Sequence, residues 1–408
     1  MNNKKFASLL KKYINNNQYT VVYLSKLTNI PRSTIQKYMS GNLLPTNYNN
    51  IEKIISFFPL TAYEKNELKN TYIIEKIGYP KFKKINILKR IIESLNNMDS
   101  EMIQYNISYN FKKINNFAKN PEELKLMVHY ILEETIVTTK KLKILLNCNN
   151  NLFDIIYMYA KNNPELSLDI LVNLKSLNNQ ASLFNLVQFE KLLKLSLLDN
   201  NISIRYVHGN ETNFNYYSIF PYMIASDKKI ILINSDYTLG ILIDDNQKFL
   251  HDEYNKKRIS AKKLITKGNK QEIDINRIFN DFINSKSPDH YIYSGKFLNY
   301  FNSIQNLKSN FTIYFKFNNE AINPTLIKEL EESDNVAIHI INNQKFLFPD
   351  NLTIFSSQKS LIIIKDNIVI NVLENTLCQD FLLLNNLFIT NDYCFDQQTS
   401  INKINHLL

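Results

Sequence analysis

Glycine is scarce in this chain, with six among 408 residues, and tryptophan is missing altogether. No glycine lies near another, so neither the G-x-G-x-x-G turn of a dinucleotide fold nor a phosphate-cradling G-x-x-x-x-G-K loop is present. Cysteine is nearly as rare. Cys148, Cys378 and Cys394 are odd in number and widely spaced, which points to reduced thiols used in packing rather than a disulfide framework. The six histidines are isolated, with no H-E-x-x-H, H-x-H or C-x-x-C, so a zinc site of the usual spacing is not expected. G-x-S-x-G is also absent. Paired carboxylates occur only as chain neighbours, such as Glu133/Glu134, Asp244/Asp245 and Asp252/Glu253. Neighbouring side chains point apart on a helix or strand, so these pairs read as solvated faces and turns, not acid–base dyads. From these absences the chain is expected to carry no metal, no cofactor and no enzymatic activity. An active site assembled from residues far apart in sequence carries no such short motif. No apolar run approaches membrane-spanning length, and the opening MNNKKFASLLKKYINNN lacks a signal peptide's apolar centre. The expectation is a cytoplasmic protein with no membrane partner.

What is abundant is apolar and basic. Hydrophobic residues at 44% and aromatics at 12% specify a globular chain, and its length suggests two or three domains. The whole net charge of +10 sits in residues 1–84, with 14 Lys and Arg against 4 Asp and Glu. Residues 85–408 balance at 34 against 34. The first acidic residue is Glu52. Fifty positions of basic chain without a carboxylate suit a polyanion, of which nucleic acid is the commonest.

Inside that block lies TVVYLSKLTNIPRSTIQKYMSGNLLPT, residues 20–46. Val21, Leu24 and Thr28 share one helical face, with Ser25 small enough to admit a close partner helix. Thr20 has N-cap chemistry. Asn29 takes a turn that needs positive φ, and Ile30 points back to the core. Pro31 pre-sets a second helix through Ile35, Tyr38 and Met39, which Gly41 stops. Two short helices joined by a few residues form a helix-turn-helix, whose second helix enters the major groove.

These residues resemble the Cro/Xre (lambda-repressor-like) family of DNA-binding domains. The resemblance spans roughly residues 4–78 and is most specific over 24–46, in Ser25, Ile35 and the close Ser40, Gly41, Asn42, Pro45 and Thr46. Asn29 stands where the family often has glycine, Val21 where a polar residue is common, and Leu43 and Leu44 where a basic one is frequent. The resemblance implies a five-helix DNA-binding domain. Its base and backbone contacts would come from the start of the recognition helix, at Arg32, Ser33, Thr34, Gln36 and Lys37. Thr20, at the start of the preceding helix, is grouped with them as a DNA-binding candidate.

Arg32 stands out independently. Only 5 of the 48 basic residues are arginine, and no other precedes Arg90. A guanidinium can grip guanine O6 and N7 through two bonds, which a lysine ammonium cannot. Base readout and a phosphate contact both fit its position.

The remainder reads as helix over 87–95, 102–117, 121–138, 152–161, 164–177 and 182–198. A break at Gly78, Tyr79 and Pro80 leads through Lys81, Lys83 and Lys84 into a linker or lead-in helix. Beyond residue 200, β-rich runs appear at 202–207, 230–234, 239–243, 311–317, 336–341, 352–355, 361–364 and 368–372, with a hairpin around Ser235 and Asp236. Helices are expected at 274–283, 324–332, 373–384 and 399–408. No fixed repeat period is evident. The basic run 248–270, with 8 cations against 2 carboxylates, reads as a phosphate-facing surface or as a solvated helix burying Ile259 and Leu264. Tyr216, Tyr217, Phe220 and Tyr222 form an aromatic cluster, either core or ligand cage.

The resulting fold class is an α+β multidomain chain. It has an all-α helix-turn-helix domain at 1–80, a helical linker or dimerisation region at 81–200, and a mixed α+β effector or oligomerisation domain at 201–408. The function it implies is a bacterial or phage-type transcriptional regulator binding double-stranded DNA as a homodimer, with room for a small-molecule or peptide effector. An alternative of a different class is an enzyme or toxin–antitoxin-type interaction protein whose helix pair serves autoregulation or partner docking.

Overall fold

In the computed structural model, described over residues 4–46, 48–96, 114–148, 151–175, 179–208, 219–244, 248–269, 281–282, 287–295, 309–316, 335–390 and 393–405, the amino-terminal part is entirely helical. Its helices are α1 (Lys5–Asn16), α2 (Val21–Thr28), α3 (Arg32–Ser40), α4 (Tyr48–Ser56) and α5 (Ala62–Ile77). Each turns one apolar stripe inward. In α1 the stripe is Phe6, Leu10, Tyr13 and Ile14, at the spacing of successive helical turns. It meets Leu24, Ile35, Ile51 and Tyr72 in one small core. Thr61 opens α5 with a capping box, its hydroxyl accepting the Glu64 N–H while the Glu64 carboxylate accepts the Thr61 N–H.

Gly78 is a corner. Helix α6 (Tyr79–Asn96) starts at once, with Pro80 in its first turn, where a missing N–H is harmless. Of the linker or lead-in helix expected here, the structure has the helix, which buries Ile85, Ile87, Leu88, Ile91, Ile92 and Leu95 in the principal core of the molecule.

That core is built on a fourteen-stranded sheet among the described residues, in the order β1-β7-β6-β5-β2-β3-β4-β8-β14-β13-β12-β9-β10-β11. The strands are β1 (Phe117–Ala118), β2 (Lys141–Leu145), β3 (Ser167–Leu174), β4 (Ile202–His208), β5 (Tyr222–Ala225), β6 (Lys229–Ile233), β7 (Gly240–Asp244) and β8 (Lys262–Asn269). They continue as β9 (Asp289–Ser294), β10 (Asn310–Lys316), β11 (Val336–Ile341), β12 (Leu352–Ser357), β13 (Leu361–Lys365) and β14 (Ile368–Val372). The helices are α7 (Pro121–Val137), α8 (Asn151–Asn162), α9 (Asn179–Ser196), α10 (Phe249–Ser260), α11 (Asn375–Phe381), α12 (Leu383–Thr390) and α13 (Gln397–Asn405). Helix α6 lies against α5, α9 and α12.

The chain is thus mixed α and β, but its middle is not purely helical. Residues 164–177, expected as a helix, hold the central strand β3, and β2 precedes it. Both lie in parallel ladders, β2 with β3 and β3 with β4, so the sheet runs across position 200. The expectation rests on Pro164 followed by Glu165, a helix-opening sign, although Ser167, Asp169 and Asn173 alternate with the buried Leu168, Ile170, Val172 and Leu174 along the strand. Pro164 and Glu165 precede a strand, not a helix. The basic run divides between α10 and β8. Ile259, expected in the core, is 81% exposed, and the buried Leu264 lies on the strand. Residues 102–113, 283 and 324–332, all of 274–280, and Tyr216 and Tyr217 lie outside the described residues. Phe117 belongs to β1, not to a helix.

The topology contains a repeat that the sequence does not display. The first seven strands lie in the order β1-β7-β6-β5-β2-β3-β4, and the next seven in the order β8-β14-β13-β12-β9-β10-β11. In each set three parallel strands adjoin three antiparallel ones. Equivalent turns are built alike. The Ser226 hydroxyl accepts the Lys229 N–H at 3.0 Å, and the Ser357 hydroxyl accepts the Ser360 N–H at 3.2 Å. Because each of the five steps along β4-β8-β14-β13-β12-β9 is antiparallel, β9 runs opposite to β4 and hence to β2. The carboxyl ends of the two parallel triplets therefore face opposite edges of the sheet.

Candidate nucleic-acid interface

The pair α2–α3 is fixed by short polar links. The Thr20 hydroxyl accepts the Tyr23 N–H at 3.2 Å and caps α2. Asn29 ends α2 in the left-handed region, at φ 57°, where asparagine is better tolerated than most residues. The Ser25 hydroxyl donates to the Ile30 carbonyl at 2.7 Å, so the small residue on α2 holds the turn itself. The Thr28 hydroxyl donates to the Leu24 carbonyl at 2.7 Å and accepts the Ile30 N–H at 3.3 Å. Pro31 stands at the N-cap of α3, one position before the first helical residue, and Gly41 closes the helix at φ 71°.

Helix α3 then has two unlike faces. Ile35 and Tyr38 are buried in the helical core. Arg32, Ser33, Gln36 and Lys37 are exposed in two adjoining rows, and Thr34 is half-buried. Among the described residues neither Arg32 nor Lys37 is held in an ion pair. Thr20 is exposed, and its hydroxyl is already engaged as the cap of α2.

The surroundings are electrostatically one-sided. Helices α1–α3 contain no carboxylate, while Lys5, Lys11, Lys12, Lys26 and Lys37 are exposed on them. All four carboxylates of residues 1–84 lie on α4 and α5, each with a structural task. Glu52 bonds Lys69 and Lys345, Glu64 caps α5, Glu67 accepts the Tyr13 hydroxyl at 3.2 Å, and Glu75 accepts the Phe6 N–H at 2.8 Å. Burial, reinforced by Glu67, pushes the Tyr13 hydroxyl up to about 12, so it stays neutral beside its carboxylate.

Sequence reasoning missed Lys4 as a neighbour of this face. Its side chain lies over Gly41 and its ammonium donates to the Ser40 carbonyl at 3.4 Å, bringing the start of α1 beside the end of α3. Leu43, where the family resemblance expects a basic residue, is an exposed apolar side chain just beyond α3.

The basic run around α10 is a different surface. Arg258 pairs with Asp169 at 2.5 Å, Lys256 with Glu253 at 2.8 Å, and the Arg205 guanidinium donates to the Ala261 carbonyl at 3.1 Å. Burial pushes the half-buried Lys257 down to about 8. Several of its cations are thus committed within the fold. Phe220 and Tyr222 are half-buried, and Tyr222 stacks on Tyr237 with ring centroids 4.8 Å apart, as packing. The three cysteines are buried and unbridged. Among the described residues no cluster of His, Cys, Asp and Glu is arranged to hold a metal ion, and no helix is long and apolar enough to cross a membrane.

No family model and no curated protein matches the chain. Among solved structures, it is similar to TrmBL2, an archaeal chromatin protein described as showing a novel mode of DNA binding. That alignment has 13% identity, covers 59% of this chain and 98% of that one, and gives a TM-score of 0.27. It is also similar to the polyphosphate kinase of Porphyromonas gingivalis, at 11% identity over 65% of this chain and 48% of that one, with a TM-score of 0.23. The chain spans about half the length of that kinase. At such scores neither alignment transfers chemistry. The expectation that the chain is not an enzyme does not stand beside the alignment with a kinase, which itself assigns this chain no activity. The missing short motifs were no ground for excluding catalysis, since active sites are commonly assembled from residues far apart in sequence.

Proposed function

We propose that the chain is a sequence-specific DNA-binding regulator of the Cro/Xre type, with residues 1–80 as its reader and α3 in the major groove. The observation that carries this reading is the exposed set Arg32, Ser33, Gln36 and Lys37 on a helix whose own region has no carboxylate. Arg32 contacts a base edge, Lys37 a phosphate, and the exposed lysines of α1 and α2 supply the non-specific attraction. The remaining chain, residues 81–408, brings two readers together. A single small module makes few phosphate contacts, whereas two on half-sites about 34–36 Å apart add theirs.

The test is selection of binding duplexes from a random pool, followed by anisotropy titration of the enriched site and a scrambled duplex over a range of salt. The expected result is a preferred site, affinity falling steeply with salt, and loss of preference in Arg32→Ala. Absence of binding to any duplex at low salt would sink the proposal.

A further inference from the structure

A polar cleft of about 280 Å³ opens where the helical head meets the sheet body. Its cationic wall is assembled from three separate segments: Lys69 on α5, Lys89 on α6, and Lys345 in the turn after β11. One carboxylate, Glu52 on α4, lines it too, and Asn66, Asn70 and Asn86 contribute amide groups. Glu52 accepts from Lys69 at 3.2 Å and from Lys345 at 2.8 Å. Lys89 donates to the Tyr393 hydroxyl at 3.0 Å, with the exposed Glu93 at 3.7 Å on the rim.

We propose that this cleft binds a small multivalent oxyanion, a pyrophosphate or a polycarboxylate, which takes the place of the Glu52 carboxylate between Lys69 and Lys345 and reaches Lys89. With Glu52 displaced, the three ammonium groups face, among the described carboxylates, only the exposed Glu93, an excess of positive charge in a half-enclosed space that suits more than one anionic group on a single ligand. The volume, near the lower end of ligand sites, favours a small molecule. Glu52 acts as an internal stand-in. Its bond to Lys345 joins head to body, whereas its bond to Lys69 lies within the head, so an anion that displaces it alters how α1–α5 are held against the sheet. That coupling to DNA rests on the function proposed above, whereas binding of the anion does not.

The experiment is calorimetric titration of the full chain with sodium pyrophosphate and, separately, citrate, in the absence of DNA. One equivalent should bind. Glu52→Gln should tighten binding about fivefold or more by removing the competing charge, and Lys345→Met should weaken it about tenfold, the worth of about 1.4 kcal/mol. Lys345→Arg should bind within a few fold of wild type, which separates lost charge from lost folding. Exposed Lys359 serves as the control, and Lys359→Met should change nothing. Binding of pyrophosphate alone assigns a phosphate ligand, of citrate alone a carboxylate, and of both a site that selects charge. The proposal is overturned if neither anion binds wild type or Glu52→Gln, if Glu52→Gln binds more weakly, or if Lys359→Met loses as much as Lys345→Met. Repeating the DNA titration with saturating anion then reads the coupling. A chain that binds anion but no duplex refutes the DNA function while leaving the site intact.

Discussion

Lys84 and Asp380 are 296 positions apart in sequence, yet their side chains meet at 2.7 Å and are 12% and 8% exposed. Asp380 also accepts the Ser182 hydroxyl, so one carboxylate ties α6, α9 and α11 together. Removing one partner of such a buried pair leaves a charge without compensation. Asp380→Ala or Lys84→Ala should each lower unfolding stability by about 3–5 kcal/mol, while Lys84→Met combined with Asp380→Leu should cost much less. Urea denaturation of the three variants checks this. Equal losses in the single and double variants would show that the pair acts only by packing.

Gly295 sits where the backbone of the loop before β12 crosses the end of β9. A Cβ there would lie 2.0 Å from the Pro349 carbonyl oxygen and 2.5 Å from the Asp350 Cα. Neither atom can swing aside, so Gly295→Ala should destabilise by about 3 kcal/mol or more. At Gly41 the obstacle is the flexible Lys4 chain, and the cost of alanine is that of its positive φ, about 1–2 kcal/mol. Thermal melts should rank the two in that order.

Arginine and lysine should separate base contacts from phosphate contacts. On the preferred duplex, Arg32→Lys should cost about 1–3 kcal/mol and relax selection at one base pair. Lys37→Ala should weaken preferred and scrambled duplexes alike and lower the salt slope by about one phosphate. Equal losses on both duplexes for Arg32→Lys would reassign that residue to the backbone.

Stability should fall on acidification. Burial lowers the pKa of His129, His290 and His339 below the usual 6.5, against the smaller raising effects of their acidic or carbonyl neighbours. A depressed histidine is bound by protons more readily when unfolded. Its contribution is therefore full above pH 6.5 and is lost as pH drops from there through the folded value. Urea midpoints measured between neutral pH and about pH 5 should decline. His290, stacked at 4.7 Å on Phe311 and edge-on to Phe282, is the residue to replace by phenylalanine. His290→Phe should flatten part of that decline, and an unchanged profile would exclude it as a contributor.

The features legible in the sequence are those whose cause lies within a few residues. Thr20, Asn29 and Gly41 each mark a helix end by their own chemistry, and the break read at Gly78 is where α5 gives way to α6. The hairpin β6–β7 and the antiparallel strands β12–β14 also fall where β-rich runs and the turns between them place them. Strand β3 reads as helix because Pro164 and Glu165 in front of it have helix-opening chemistry, although its polar and apolar residues alternate; Ile259 reads as core, but a helix that stops at Ser260 cannot carry its stripe on to Leu264.

The chain alone determined that its charge is gathered before residue 85 and that a short helix headed by Arg32 follows a left-handed turn, because those depend on composition and on neighbours. Only the tertiary structure decided that two sets of seven strands share one order, that Glu52 meets Lys345, and that Lys84 meets Asp380. Parallel pairing and long-range ion pairs join segments whose separation carries no local signature, so their partners are chosen by the packing of the whole sheet.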